Sequence, residues 1–273
     1  MIFFDTFSVM SRELRSRVTF LSTFNMTTMP SIPVDVLREI LEHVCKADLA
    51  TLCRVNKIFC SCSQDVLYRE IEYEADVIET LAQSTDLARR VRSFHTSYDH
   101  QELATALRNM SSLRRLGCED FCDDASVLDG CTFKLDSFTC SFPYSESLQK
   151  FLNGQPSLTD IAIWRDYEPL PPFDERYLPN LTRVTATPSL LRLLIPGRPV
   201  RQVIVLSRSS SDSTDLSFFT LSTTPIQKLS IHYDMLHPKP VSLLVSTFPS
   251  LVHLYVWARH MEEIVCVLLC LSI

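Results

Sequence analysis

The residues of this chain that could do chemistry are mostly cysteines. Ten cysteines occur among 273 residues, and a histidine adds one further short-spaced pair. The close pairs are Cys60-x-Cys62, Cys118-x3-Cys122, Cys266-x3-Cys270 and His43-x-Cys45. A structural zinc site needs a second pair of ligands at a matching spacing, and none follows these pairs. We therefore interpret the cysteines as reduced thiols and predict no metal site.

A second candidate for chemistry is a cluster of carboxylates after a predicted strand. Its members are Glu119, Asp120, Asp123 and Asp124. Such a cluster could meet a basic partner or hold a cation, but a solvated acidic loop is the interpretation we favour.

The other signatures of catalysis are missing from the sequence. Only four glycines occur, which excludes glycine-rich phosphate loops, and no nucleophile elbow or dinucleotide fingerprint is found. The sequence predicts no catalytic residue, no cofactor and a protein that is not an enzyme. An α/β enzyme whose catalytic groups meet only in the fold is the alternative from a different class.

Composition limits the partners and the compartment. The net charge is −6, which argues against a nucleic-acid partner. Scattered cysteines without a secretory signal indicate the cytoplasm or the nucleus. The apolar C-terminal run 264–273 is too short for a membrane span, which needs about 20 residues.

The elements that would position these side chains begin with three short helical patterns in residues 31–71. Ile32-Pro33 opens the first, because proline suits a first helical turn. Asp48 is predicted to cap the second, and Ser61 or Ser63 to start the third. The predicted inward residues are Val36, Leu37, Ile40, Leu41 and Val44, then Leu49, Leu52, Val55 and Phe59, then Val66, Leu67 and Ile71. A module with so few apolar residues is expected to be only marginally stable alone and to become more stable when it binds a partner protein.

This segment resembles an F-box, in a variant similar to those of fungal proteins. The matching residues are Ile32-Pro33-x-x-Val36-Leu37-x-x-Ile40-Leu41, Asp48-Leu49-x-x-Leu52-x-x-Val55-Asn56-Lys57-x-Phe59 and Val66-Leu67-Tyr68-x-x-Ile71. Phe59 stands where many F-boxes carry tryptophan. The resemblance implies docking onto Skp1 and, through it, onto the cullin and RING subunits of an SCF ubiquitin ligase.

The residues that the resemblance assigns to the Skp1 contact come from all parts of the motif. They are Ile32, Pro33, Val36, Leu37, Ile40, Leu41, Leu49, Leu52, Val55 and Phe59. The pattern alone does not separate those that face the partner from those that face inward. The alternative is that these side chains only form the core of an ordinary helical hairpin.

The rest of the chain repeats a pair of apolar residues three positions apart, at steps of 19 to 26 residues. The pairs are Val91/Phe94, Leu113/Leu116, Leu135/Phe138, Leu158/Ile161, Leu181/Val184, Val200/Val203, Ile226/Leu229 and Leu251/Leu254. Strand patterns are predicted at 159–164, 182–187, 201–206, 227–233 and 252–257. Helices are predicted at 100–110, 145–153, 188–195 and 240–248.

One strand and one helix per unit resembles the irregular leucine-rich repeats found behind many F-boxes. The predicted fold class is mixed α/β (α+β), with a three-helix F-box followed by a βα solenoid. An ordinary α/β sheet with alternating helices is the alternative. A regular asparagine or cysteine ladder is missing from the repeats, and residues 207–214 are predicted to be a solvated loop.

Four regions are predicted. They are a flexible extension at 1–29, the F-box at 30–73, a connecting helix at 74–90 and the solenoid at 91–273. The apolar helix at 261–273 is either a cap or the place where a longer array is truncated. We expect truncation, and with it self-association through this end.

The function expected from this organisation is that of a substrate-recognition subunit of an SCF-type E3 ubiquitin ligase. Its protein target is unknown, and a Skp1-binding scaffold outside a cullin ligase is the alternative. The strand face of the solenoid is expected to contact the target. Candidates there are Trp164, Arg165, His232, Tyr233, Tyr255 and Trp257, of which about half should point inward because side chains alternate along a strand.

Overall fold

The computed structural model describes residues 32–73, 75–97, 101–119, 125–165, 174, 176–206, 216–232 and 247–257. The predicted extension at 1–29, the loop at 207–214, the C-terminal helix at 261–273 and almost all of the helix at 240–248 lie outside these residues. In the described ranges, three helices precede a parallel sheet of nine strands.

The three-helix module consists of α1 (Val34–Glu42), α2 (Lys46–Leu52) and α3 (Lys57–Leu67). Pro33 is the cap residue of α1, close to its predicted place in the first turn. Asn56 caps α3, since its side-chain oxygen accepts hydrogen bonds from the backbone N–H of Ile58 and of Phe59, both at 2.9 Å.

The cap at Asn56 corrects two predicted boundaries. The third helix begins at Lys57 rather than at Ser61 or Ser63, because the extended backbone and side-chain oxygen of Asn56 satisfy its first N–H groups. Phe59 therefore lies on α3 instead of α2. Asp48 lies inside the first turn of α2, whose cap residue is Cys45.

The sheet is built by strands that pair in chain order, and every pair is parallel. The strands are β1 (Glu70–Glu72), β2 (Ser93–Thr96), β3 (Arg115–Cys118), β4 (Ser137–Cys140), β5 (Asp160–Ile163), β6 (Arg183–Ala186), β7 (Gln202–Val205), β8 (Lys228–His232) and β9 (His253–Trp257). A doubly wound α/β sheet would reverse its strand order at a switch point. The uninterrupted order is that of a solenoid-like region and confirms the predicted fold class.

The repeated apolar pairs account for the register of the sheet. The second member of each pair faces the second member of the next, from Phe94 opposite Leu116 through to Leu229 opposite Leu254. Both members of every pair are buried. Ile71 adds a further rung because it pairs with Phe94, so it belongs to β1 and not to the third helix as predicted. The sheet thus begins inside the segment predicted as F-box.

The connections between strands are less uniform than predicted. The α-helices are α4 (Ala75–Gln83), α5 (Thr85–Ala88), α6 (Leu103–Asn109), α7 (Glu146–Asn153) and α8 (Pro188–Leu194). The last three confirm the predicted helices in their regions. Short 3-10 helices at Ala125–Leu128 and Ser217–Leu221 replace α-helices in two other units.

Residues 75–90, in the region predicted as a connecting helix, contribute side chains to the core of the repeat array. Ile78 and Leu81 of α4 and Ala88 of α5 are buried in the same core as the strand residues. None of the helices within the described ranges is both long and apolar enough to cross a lipid bilayer.

Polar side chains tie neighbouring units together in place of a regular asparagine ladder. The buried Gln155 accepts a hydrogen bond from the backbone N–H of Leu135 at 2.9 Å. Ser157 donates to the carbonyl of the same residue at 2.9 Å, and Asn180 donates to the carbonyl of Pro156 at 3.0 Å. Different residue types at different positions perform the same task, which explains why no ladder is visible in the sequence.

Candidate partner-binding site

The first helix of the module exposes apolar side chains along one side. Ile32, Val36 and Ile40 are 53%, 49% and 50% exposed. Residues spaced by four lie one above another on a helix, so Val36 and Ile40 form a stripe that Ile32 extends at its start. Exposed apolar residues in a row mark a surface that another protein can cover.

The opposite side of the same helix forms a small core. Leu37 and Leu41 are buried together with Leu49 of α2 and Cys62 of α3. Five partly buried apolar side chains pack around these four: Val44, Leu52, Phe59, Val66 and Leu67. This core is separate from the large core beneath the sheet.

The residues assigned to Skp1 by resemblance thus fall into three groups. Leu37, Leu41 and Leu49 are buried in the module, and their side chains are not available to a partner as they stand. Leu52 and Phe59 are half-buried. Those with exposed side chains are Ile32, Pro33, Val36, Ile40 and Val55.

Two exposed apolar residues were missed by the motif match. Val34 is 43% exposed at the start of α1, and Ile58 is 56% exposed at the start of α3. Ile58 precedes the buried Cys62 by four residues, so helical periodicity places both on the same side of α3. The local pattern therefore carries no signal that could have identified Ile58 as exposed.

Ion pairs attach the module to the beginning of the sheet. Arg90, which follows α5, donates to the carboxylate of Asp65 on α3 and to the carbonyl of Ser61 at 3.0 Å. Arg69, just before β1, pairs with Glu42 on α1 at 2.5 Å. These contacts join both α1 and α3 to the residues around the first strand.

The outward face of the sheet carries paired charges over its first six strands. Arg115 of β3 reaches Glu70 of β1 at 2.5 Å, across the small and buried Ser93 of β2. Arg183 of β6 pairs with Asp160 of β5, also at 2.5 Å. Partial burial raises the pKa of Asp160, and the neighbouring Arg183 opposes that rise.

The candidates predicted for target contact lie at or near the ends of strands, as far as the structure describes them. Trp164 follows β5 and is 43% exposed, and the adjacent Arg165 is half-buried. Tyr255 is a half-buried residue of β9. His232 and Trp257 end β8 and β9, whereas Tyr233 lies outside the described residues.

The groups considered for chemistry are not assembled into a reactive site in the described parts of the chain. Cys118 and Cys140 are buried in register on β3 and β4, and burial raises the pKa of both thiols, to about 12 for Cys140. Glu119 accepts a hydrogen bond from the hydroxyl of Tyr73 at 3.1 Å. No group of three or more potential metal ligands occurs among the residues described, which do not include Asp120, Asp123 and Asp124.

Comparison with known proteins identifies the three-helix module. Residues 29–70 match the F-box domain family, close to the predicted span of 30–73. A search of curated proteins finds no match to the chain. The F-box domain supports a role as a Skp1-binding adaptor of SCF-type ubiquitin ligases, and it assigns no function to the strands that follow.

Proposed function

We propose that this F-box protein is a substrate-recognition subunit of an SCF-type ubiquitin ligase. It docks onto Skp1 through the F-box and offers the outward face of its sheet to a target protein. The observation that carries the proposal is the exposed apolar stripe of Ile32, Val36 and Ile40, on a module that is itself matched to the F-box family.

The exposure of the side chains supports a particular set of proposed Skp1 contacts. Ile32, Val36 and Ile40 form the docking stripe, and the exposed Val55 and Ile58 extend the apolar surface onto α3 and the turn before it. Removing such side chains from water favours association at about 25 cal/mol for each Å² buried. The buried residues Leu37, Leu41 and Leu49 act indirectly, by holding α1 so that the stripe faces outward.

The proposed mechanism is proximity and not chemistry by this chain. Skp1 links the F-box to cullin and the RING subunit, which brings a bound target near the charged ubiquitin-conjugating enzyme. The ion pairs between the module and the sheet support this mechanism, because a fixed orientation keeps the target at a constant distance from the ligase. We place the protein in the cytoplasm or nucleus, and the free thiols of the cysteines described support that choice.

The test is co-purification of the chain with Skp1 after disruption of the stripe. We expect the double substitution Val36→Asp and Ile40→Asp to reduce Skp1 recovery about tenfold or more, since two charges would replace apolar contacts at the centre of the interface. Both side chains are half-exposed, so the fold should remain intact by circular dichroism.

Val252→Asp is the matched control, because Val252 is an apolar residue with 50% exposure in front of the last strand. It should leave Skp1 recovery unchanged. Equal recovery from all three chains would contradict docking through this stripe. Recovery of Skp1 without cullin would instead indicate a scaffold outside a cullin ligase.

A further inference from the structure

A groove of about 220 Å³ opens on the outward face of the last three strands described. Ile204 of β7, Ser230 of β8 and Tyr255 of β9 lie in register, so their side chains form one row across it. Ser230 is buried and small, whereas its two neighbours are half-buried and larger. The small Ser230 therefore leaves a depression between the larger Ile204 and Tyr255. This depression has space for one apolar side chain of a partner.

Positive charge borders this groove at the start of the strands. Lys228 lines the groove directly and is exposed. Arg201 is also exposed and comes just before Gln202, whose Cα faces that of Lys228. Neighbouring strands are about 4.8 Å apart, so the two cations lie at the same end of adjacent strands.

These two cations differ from Arg115 and Arg183, which lie on the strands of the outward face. Arg115 and Arg183 have their charge neutralised by Glu70 and Asp160. Within the described part of the chain, neither Arg201 nor Lys228 has an ion-pair partner. An exposed cation that forms no ion pair among the described residues is available to a partner's negative charge.

We propose that this groove binds an acidic segment of the target protein. An apolar side chain of the segment lies between Ile204 and Tyr255, and its neighbouring carboxylates face Lys228 and Arg201. The inference rests on the proposed function, in which the strands receive a target, and adds the chemistry of that target. The chain carries a net charge of −6, so a locally positive rim would attract an acidic partner to this part of the surface.

A protein segment fits the groove better than a nucleic acid does. Binding to a phosphate backbone depends on many cations acting together, about 6–10 contacts in typical DNA-binding proteins. The rim offers two, on a chain that is acidic overall. The apolar walls also suit a Leu or Phe side chain flanked by Glu or Asp.

The experiment uses the chain in complex with Skp1 and a short fluorescein-labelled peptide of repeating Glu-Glu-Leu. Fluorescence anisotropy should show saturable binding of this peptide and none of the Lys-Lys-Leu analogue. The double substitution Arg201→Glu and Lys228→Glu should weaken binding about tenfold or more, because attraction becomes repulsion at the rim. Ile204→Ala should weaken it about threefold by removing apolar contact while keeping the charge.

The matched control is Arg92→Glu with Arg114→Glu, which makes the same change of charge at exposed positions before β2 and β3. This control should bind the acidic peptide as the wild type does. Equal weakening by both double variants would overturn the proposal, since the effect would then come from net charge alone. Absence of saturable binding, or tighter binding of the basic peptide or of a uridine oligonucleotide, would also overturn it.

Skp1 retention is measured on the same samples, which separates the two proposals. A chain that holds Skp1 but no acidic peptide contradicts the groove and leaves the adaptor role standing. A chain that binds the peptide but not Skp1 contradicts the adaptor role instead.

Discussion

Asp65 of the F-box accepts a hydrogen bond from Arg90, which lies beyond the first strand and the two helices that follow it. The side chains are only 26% and 23% exposed. Arg38 of α1 also pairs with Asp65, at 3.3 Å. One carboxylate thus connects the first helix, the third helix and the start of the repeat array.

This connection should be measurable as a coupling energy. In a double-mutant cycle of Asp65→Ala and Arg90→Ala, we expect the free energies of unfolding to be coupled by about 1–2 kcal/mol, because the pair is partly shielded from water. Urea unfolding of the four chains gives the value. The control is the Arg114–Asp136 pair, which is 3.7 Å apart and 53% exposed on both sides, and whose coupling should stay within about 0.5 kcal/mol. Equal coupling in the two cycles would contradict a tether at Asp65.

The two sides of α1 should respond differently to truncation. Leu41 is 1% exposed in a core that, among the described residues, contains three other buried side chains, so Leu41→Ala should lower the stability of the module by about 2–4 kcal/mol. Val36→Ala should change it by less than about 0.5 kcal/mol, because Val36 already contacts water. Thermal unfolding of the isolated chain measures both. A large loss of stability with Val36→Ala would mean that the Val36 side chain packs within the module and is not available to a partner.

The side chain of His95 on β2 leaves no space for a side chain at Gly117 of β3. A Cβ atom there would lie 2.1 Å from Cδ2 of His95, whose ring covers the glycine. Gly117→Ala should therefore cost about 1–3 kcal/mol of stability through overpacking. Adding His95→Ala should restore most of the loss, as judged by urea unfolding. If the double variant is no more stable than the single one, strain at the backbone and not the imidazole is responsible.

Arg198 is a charged residue enclosed in the repeat array. Its guanidinium donates to the carbonyls of Asp174, Tyr177, Leu193 and Pro196 at 2.8–3.0 Å. Arg198→Lys should destabilise the chain by about 3 kcal/mol or more, because one ammonium cannot reach carbonyls arranged around a planar fork. Arg201→Lys, at an exposed position nearby, should have little effect. A similar melting temperature for both variants would argue against this role of the Arg198 guanidinium.

The buried thiols should make the fold sensitive to alkaline pH. The pKa of Cys140 is about 12 in the folded chain, against an ordinary value of about 9. Above pH of about 9 the unfolded thiol ionises while the folded one does not, so stability is full below that pH and falls as the pH rises toward 12. Cys140→Ala should recover about 1 kcal/mol of the loss between pH of about 8 and 10. Cys45→Ala, at an exposed position, should recover none.

The register of the sheet could be predicted because it depends on a local pattern. Two apolar residues three positions apart recur once in each repeat. The second residue of each pair aligns with that of the next strand, from Phe94 to Leu254. The apolar pattern was not sufficient at the junction between the F-box and the sheet. Ile71 suits the inner face of a helix as well as a strand, and only its pairing with Phe94 decides between them.

The candidate site shows the same division between local pattern and tertiary context. Val36 and Leu37 are adjacent apolar residues of one motif, and the sequence places both on the apolar side of α1. Only the positions of α2 and α3 determine that Leu37 is covered while Val36 is left exposed. The same holds for the cations of the outward face. Arg115 and Lys228 each occur near the start of a strand, and only the folded structure shows that Arg115 pairs with Glu70, two strands away.

The sequence by itself therefore determined the parts of this protein: the F-box, the repeat, and strands that contain the second residue of each apolar pair. Those features arise from helix and strand periodicity, which acts between residues close in the chain. Tertiary structure alone decided which apolar side chains of the module remain exposed, how Asp65 and Arg90 join the module to the sheet, and which cations lack an ion pair among the described residues. These depend on contacts between residues far apart in the chain, for which no local pattern carries a signal.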